Sequence, residues 1–209
     1  MDGGQQRRVV EVRSAGKRGR RIVAFDDGAE VTVSWARIKD EGIAPGVAFD
    51  PSHIEQICRD DARTEAHEAA LRMLAARPRA AQEVQQRLRQ RGFDTETADR
   101  EVRRLQMAGL LDDAQFAEAF VESRQRAGPR SARALAGELR AKGVDRGVAG
   151  DATAEVDDEA AAIALALARA ARMTGLDGET RHRRLAGLLQ RRGFSYGTIE
   201  RALRQVLTE

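Results

Sequence analysis

Three histidines, one cysteine and four pairs of adjacent aspartates are the residues of this 209-residue chain best suited to chemistry. Acid–base or metal catalysis needs such groups within hydrogen-bond or ligand distance of one another. His53, His67 and His182 stand far apart, each among polar or charged neighbours, and read as surface residues. The pairs Asp26-Asp27, Asp60-Asp61, Asp112-Asp113 and Asp157-Asp158 read as turns or helix starts, where a carboxylate offsets the helix dipole without any metal. Cys58 falls on an apolar helical stripe and reads as inert packing. No HExxH, CxxC, P-loop, GxGxxG or GxSxG pattern occurs. The expectation is therefore no catalytic residue, no metal site, no cofactor and no small-molecule substrate.

The basic residues are patterned instead. Leu88–Asp94 (LRQRGFD) is echoed by Leu139–Asp145 (LRAKGVD) and by Leu189–Ser195 (LQRRGFS). The copies lie roughly fifty residues apart, the period of a repeated helical unit. In each, Leu ends an amphipathic helix, Gly takes a left-handed cap, and the following Phe or Val folds back onto that helix. The closing Asp or Ser caps the next helix. Cations at a helix C-terminus contribute about 0.3–1 kcal/mol each, which accounts for one per corner. Arg87, Arg89 and Arg91 at the first corner, Arg140 and Lys142 at the second, and Arg191 and Arg192 at the third exceed that need. They are candidate contacts to a phosphate backbone or an acidic protein surface.

The elements that position these corners follow from periodicity. Thr64–Arg77, Asp113–Arg126 and Asp158–Met173 read as helices preceding them, while Thr95–Met107, Arg146–Val156 and Tyr196–Leu207 read as helices following them. Gly147 and Gly150 make the middle one short or frayed. The start of the chain differs. Arg8–Arg13, Arg21–Phe25 and Glu30–Ser34 are β-branched and separated by turn residues, Asp26-Asp27-Gly28 among them, so a three-stranded meander is expected. Ser14–Gly19 reads as a basic loop, Trp35–Glu41 as a short helix capped by Ser34 and stopped by Gly42, and Val47–Phe49 as an extended piece. Asp50-Pro51 starts a long helix. Phe25, Phe49 and Trp35 read as core rather than as a base-stacking platform.

Composition bounds the rest. Aromatics are only 4% of residues against 42% hydrophobic overall, so the interior is built from Ala, Leu, Val and Ile, which suits closely approaching helices. A net charge of +3 sets up no strong field to draw in nucleic acid. A lone cysteine fits a reducing compartment. Met1–Arg8 carries no apolar leader, and the longest apolar run, Ala160–Ala168, is too short to span a bilayer. A cytoplasmic monomer without membrane contact is expected. The fold class is mainly α: three tandem three-helix repeats in an elongated curved body, behind a small β-meander with a helix. The expected domains are 1–61, 62–111, 112–156 and 157–209.

One family carries these features in this order. ALRMLAARP (Ala70–Pro78), EVQQRLRQRGFD (Glu83–Asp94), GLLDDAQFAEAFV (Gly109–Val121), Gly128-Pro129-Arg130, ELRAKGVD (Glu138–Asp145) and RRGFS (Arg191–Ser195) followed by Tyr196 and Ile199 resemble the RecX regulators of the RecA recombinase. The resemblance spans about residues 65–207. It implies a non-enzymatic protein that binds RecA filaments on single-stranded DNA and suppresses their ATPase, strand exchange and growth; weak contact with single- or double-stranded DNA is a further partner considered, its strength left open. Ala80 departs from the pattern, standing where a capping Ser is usual, which should weaken that helix start. A directly DNA-binding helical repeat and a generic protein-interaction scaffold are the alternative readings.

Overall fold

In the computed structural model, which describes residues 6–16 and 19–207, the β-rich start is a four-stranded sheet rather than a three-stranded meander. Strands β1 (Arg7–Ser14), β2 (Arg20–Phe25), β3 (Glu30–Ser34) and β4 (Ala48–Phe49) lie in the order β3-β2-β1-β4. Every pairing is antiparallel. The hairpin between β2 and β3 turns at Gly28, whose φ of +84° is the left-handed conformation expected there. The fourth strand is two residues long, too short for alternation to show, and it exists because the chain returns to pair Phe49 with Arg7 and Ala48 with Arg8. An extra residue in β1 between Val9 and Glu11 breaks the register with β2, and Val10 is left 57% exposed. Lys17 and Arg18 of the expected basic loop lie outside the described residues.

Helix α1 (Trp35–Asp40) starts where Ser34 Oγ accepts the Arg37 N–H at 3.2 Å. Helix α2 (Pro51–Ala76) then runs unbroken for 26 residues. Its first turns present Ile54, Ile57 and Cys58 at helical spacing to Val9, Val23, Phe25, Val33, Ile38 and Ile43. Each such side chain contributes about 1.5–3 kcal/mol on full burial, which a bare sheet of this size needs. Cys58 is half-buried there, and burial pushes its thiol pKa up, in keeping with inert packing.

Three expectations are corrected. Trp35 is not core: α1 is six residues long and buries only Ile38, leaving the indole 42% exposed. Asp60-Asp61 is not at a helix start but in the middle of α2. Asp61 is 3% exposed and accepts hydrogen bonds from Arg20 Nη1 (2.7 Å), the Ser34 N–H (3.0 Å) and Ser34 Oγ, so it ties β2 and β3 to α2. His67 is no free surface residue either. Its Nδ1 lies 2.7 Å from Oε1 of Glu101, a carboxylate only 4% exposed.

The helical part repeats one plan. Helices α3 (Ala81–Gln90) and α4 (Thr95–Met107) follow α2; α5 (Asp113–Ala127), α6 (Ala132–Ala141) and α7 (Arg146–Asp151) form the second module; α8 (Asp158–Ala170), α9 (Gly178–Arg191) and α10 (Tyr196–Leu207) form the third. The second core gathers Phe116, Ala117, Val121, Leu135, Leu139, Val144 and Ala149, and takes in Ala80. The third is Leu165, Ala166, Leu185, Leu189, Phe194, Ile199, Leu203 and Val206 with smaller residues. Helix α7 is short, as Gly147 and Gly150 require. By contacts the chain divides into two compact units, residues 1–73 with 88–101 and residues 74–87 with 102–209. Among the described residues no helix is long and apolar enough to cross a membrane, and no group of three His, Cys, Asp or Glu is placed to hold a metal ion.

Candidate functional site

Each basic corner ends its helix in the same way. The N–H groups of Phe93, Val144 and Phe194 donate to the carbonyls of Leu88, Leu139 and Leu189 at 3.3, 3.1 and 3.3 Å. Those of Gly92, Gly143 and Gly193 donate to Arg89, Arg140 and Gln190 at 2.9, 2.9 and 3.0 Å. That pair of bonds closes a helix only if the glycine has positive φ, and the three values are +96°, +88° and +89°. The residue two beyond each glycine or its equivalent then caps the following helix: Asp94 accepts the Thr97 N–H at 2.8 Å, Asp145 that of Gly147 at 2.7 Å, and Ser195 that of Thr198 at 3.2 Å.

The seven basic candidates on these corners do not share one fate. Arg87 sits 3.2 Å from Glu83 and Arg89 sits 3.2 Å from Asp99. Arg91 is exposed, with no ion pair among the described residues. Arg140 is exposed and its Nε donates to the Ala136 carbonyl at 3.4 Å. Lys142 lies over the Phe120 ring at 5.6 Å, beside Arg124 at 4.9 Å. Arg191 is exposed and unpaired among the described residues. Arg192 turns inward, and its Nη1 donates to the Gly128 carbonyl at 3.1 Å.

Arg192 belongs to a joint between modules. Beside it the Ser131 N–H donates to the Arg192 carbonyl at 3.2 Å and Ser131 Oγ to the Gly193 carbonyl at 2.8 Å. A Cβ on Gly193 would stand 2.6 Å from Ala134 Cβ, so the third corner is pressed on the start of α6. The second corner meets α3 likewise: a Cβ on Gly143 would stand 2.4 Å from Gln82 Cβ. The aspartate pairs complete both joints. Asp112 caps its own helix through the Ala114 and Gln115 N–H groups, while Asp113 reaches back to the Ala81 N–H at 2.8 Å. Asp157 caps α8, and Asp158 reaches back to the Ala132 N–H at 2.7 Å. The missing Ser at position 80 is thus offset from the next module, and Ala80 is fully buried.

One cationic groove was missed by the corner pattern. Arg169 of α8 and Arg183, Arg184 and Arg191 of α9 rim a depression of about 380 Å³ floored by Met173, Gly187 and Leu188. No carboxylate lines it, and among the described residues none of the four arginines is in an ion pair. The signal was present in the sequence. Arg184, Leu188 and Arg191 are four and seven residues apart and share one face of α9. The groove sets four guanidinium groups beside the apolar surface of Met173 and Leu188.

Comparison with known proteins places these modules. Models of the first, second and third three-helix domains of RecX match residues 66–105, 112–152 and 157–203. The regulatory protein RecX of Amycolatopsis mediterranei is 40% identical over 147 residues, which is 69% of this chain and 84% of that protein. That of Mycobacterium ulcerans is 38% identical over 154 residues, covering 71% and 87%. Among solved structures, RecX from Lactobacillus salivarius superposes with a TM-score of 0.64 at 22% identity, over 72% of this chain and 99% of that one. A second solved structure, of a regulatory protein RecX, superposes with a TM-score of 0.65 at 19% identity over 97% of this chain and 100% of that one.

Proposed function

The chain belongs to the RecX family of regulatory proteins, and on that premise we propose that it binds RecA filaments on single-stranded DNA in the cytoplasm and restrains their ATPase and strand exchange. The observation that supports this reading is the ordered run of three matched modules from residue 66 to residue 203. Three linked weak contacts to a periodic partner give useful avidity without any one tight site. The working domains proposed are the sheet domain, 1–61, and the modules 62–111, 112–156 and 157–209. No step of the proposed function requires a catalytic group or a cofactor.

The arginine groove of the third module is the proposed contact, with Arg91 and Arg140 as further exposed cations. DNA-dependent ATP hydrolysis by RecA, measured with sub-stoichiometric amounts of this protein, should fall. A folded triple variant, Arg183→Glu, Arg184→Glu and Arg191→Glu, should need roughly tenfold more protein for equal inhibition. Full inhibition by that variant would reject the groove, and no inhibition by the parent would reject the function. The carboxylate-free lining also suits a second reading, direct contact of the groove with DNA, which would show as a steep salt dependence of binding to naked DNA.

A further inference from the structure

Trp35 is the single tryptophan of the chain; it is 42% exposed and is not part of the buried cluster of the sheet domain. Two cations attend it: the Arg21 guanidinium lies 5.1 Å from the ring centre and the Lys39 ammonium 5.5 Å. Other arginines of this domain are held by carboxylates. Arg7 pairs with Asp27, Arg13 with Glu30, Arg20 with Asp61 and Glu65, and Arg37 with Glu41. Among the described residues Arg21 and Lys39 have no acidic partner; Arg21 Nη1 donates to the Arg20 carbonyl at 3.0 Å. The backbone that carries the indole is held in place. The backbone N–H of Trp35 donates to the Gly19 carbonyl at 2.7 Å, and the preceding Ser34 is anchored by buried Asp61.

We propose that Trp35, with Arg21 and Lys39, is a nucleobase-stacking site for a single-stranded nucleic acid. A nucleotide offers two recognisable parts, an aromatic face and a phosphate, and this site offers one complement to each: a partly exposed indole for the base and, for the backbone, two cations with no acidic partner among the described residues. Stacking on an aromatic is stronger than a solvent-exposed cation–π contact, so a base can displace either cation from the ring and release it to a phosphate. Bases stacked within a duplex present no free face, which makes the site selective for single strands. The family models begin at residue 66 and do not reach it. The inference stands apart from the RecA reading, since inhibition through the third module does not involve Trp35.

The lone indole makes the full chain its own probe. Titration with oligothymidine of roughly 12 nucleotides should quench tryptophan emission to saturation, whereas a duplex of equal length should leave it unchanged. By anisotropy of a labelled oligonucleotide, Trp35→Ala should bind roughly tenfold more weakly and Trp35→Phe should recover part of the loss. Replacing Arg21 and Lys39 by Gln should flatten the salt dependence. Three results overturn the proposal: no binding, binding without quenching and with Trp35→Ala unaffected, or equal quenching and competition by polyglutamate. The last would mark a generic polyanion surface. Retained RecA inhibition in Trp35→Ala separates this outcome from the fate of the proposed function.

Discussion

Glu83 collects three guanidinium groups, from Arg77 at 2.5 Å, Arg87 at 3.2 Å, and Arg79 closer still. Burial pushes the carboxyl's pKa up, but the hydrogen bonds from Arg77 and Arg87 and the charges of Arg77 and Arg79 outweigh it and hold it below its usual range. Asp94 is held low as well, chiefly by the Thr97 N–H and hydroxyl. A carboxylate whose folded pKa is depressed stabilises the fold above its unfolded pKa and loses that contribution as pH falls through the folded value. The urea midpoint should therefore be flat near neutrality and fall once pH drops below about 4. Glu83→Gln should cost about 1–3 kcal/mol at pH 7 and make the acid decline shallower. A decline parallel to the parent's would mean that Glu83 does not carry it. Residues of this kind were the least legible in the sequence. Asp61 and His67 look like solvent residues because their partners, Arg20 and Glu101, are 41 and 34 positions away.

At the scale of elements, the sequence spelled out the corners and hid the joints. A Gly flanked by Leu four residues before and an apolar residue after it is a local signal, and all three helix ends close as that signal requires. What each corner rests on is a long-range matter. Gly92 has open space about it, whereas Gly143 and Gly193 abut Gln82 and Ala134. Alanine scanning separates the two roles. Gly92→Ala pays only the left-handed backbone, about 1 kcal/mol, while Gly143→Ala and Gly193→Ala add a steric clash and should cost about 2–4 kcal/mol. Equal losses in chemical denaturation would show that the joints yield easily. The same distinction separates the basic candidates: helical spacing tells which arginines share a face, but not that Arg192 donates to the Gly128 carbonyl.

For the whole molecule, a net charge of +3 sets up only a weak global attraction. Two local features stand out, the arginine groove of the third module and the sheet-domain indole; of their residues the corner pattern named only Arg191. The three-module plan was legible because it is written in glycines and caps. The pairing of the fourth strand was not: Val47–Phe49 reads as extended, but two residues carry no sign of the strand they join. The dependence of each module on its successor leads to a test by truncation. Ending the chain after residue 156 removes Asp158 and Gly193, so the amides at the start of α6, Ala132 to Leu135, should exchange with solvent at least tenfold faster than in the full chain. Unchanged protection there would mean that α6 needs no help from its neighbour.

The backward reach of Asp113 and Asp158 also sets an order of events at the ribosome. The carboxylate that closes the start of α3 is made 32 residues after the amide it caps, and the one for α6 is made 26 residues after. At roughly 5–20 residues per second, the first and second modules each wait a few seconds with one amide at the start of the second helix still without its carboxylate. A chaperone that surveys nascent chains would meet this protein in that interval, one module at a time, and would find the last module alone exempt from the wait.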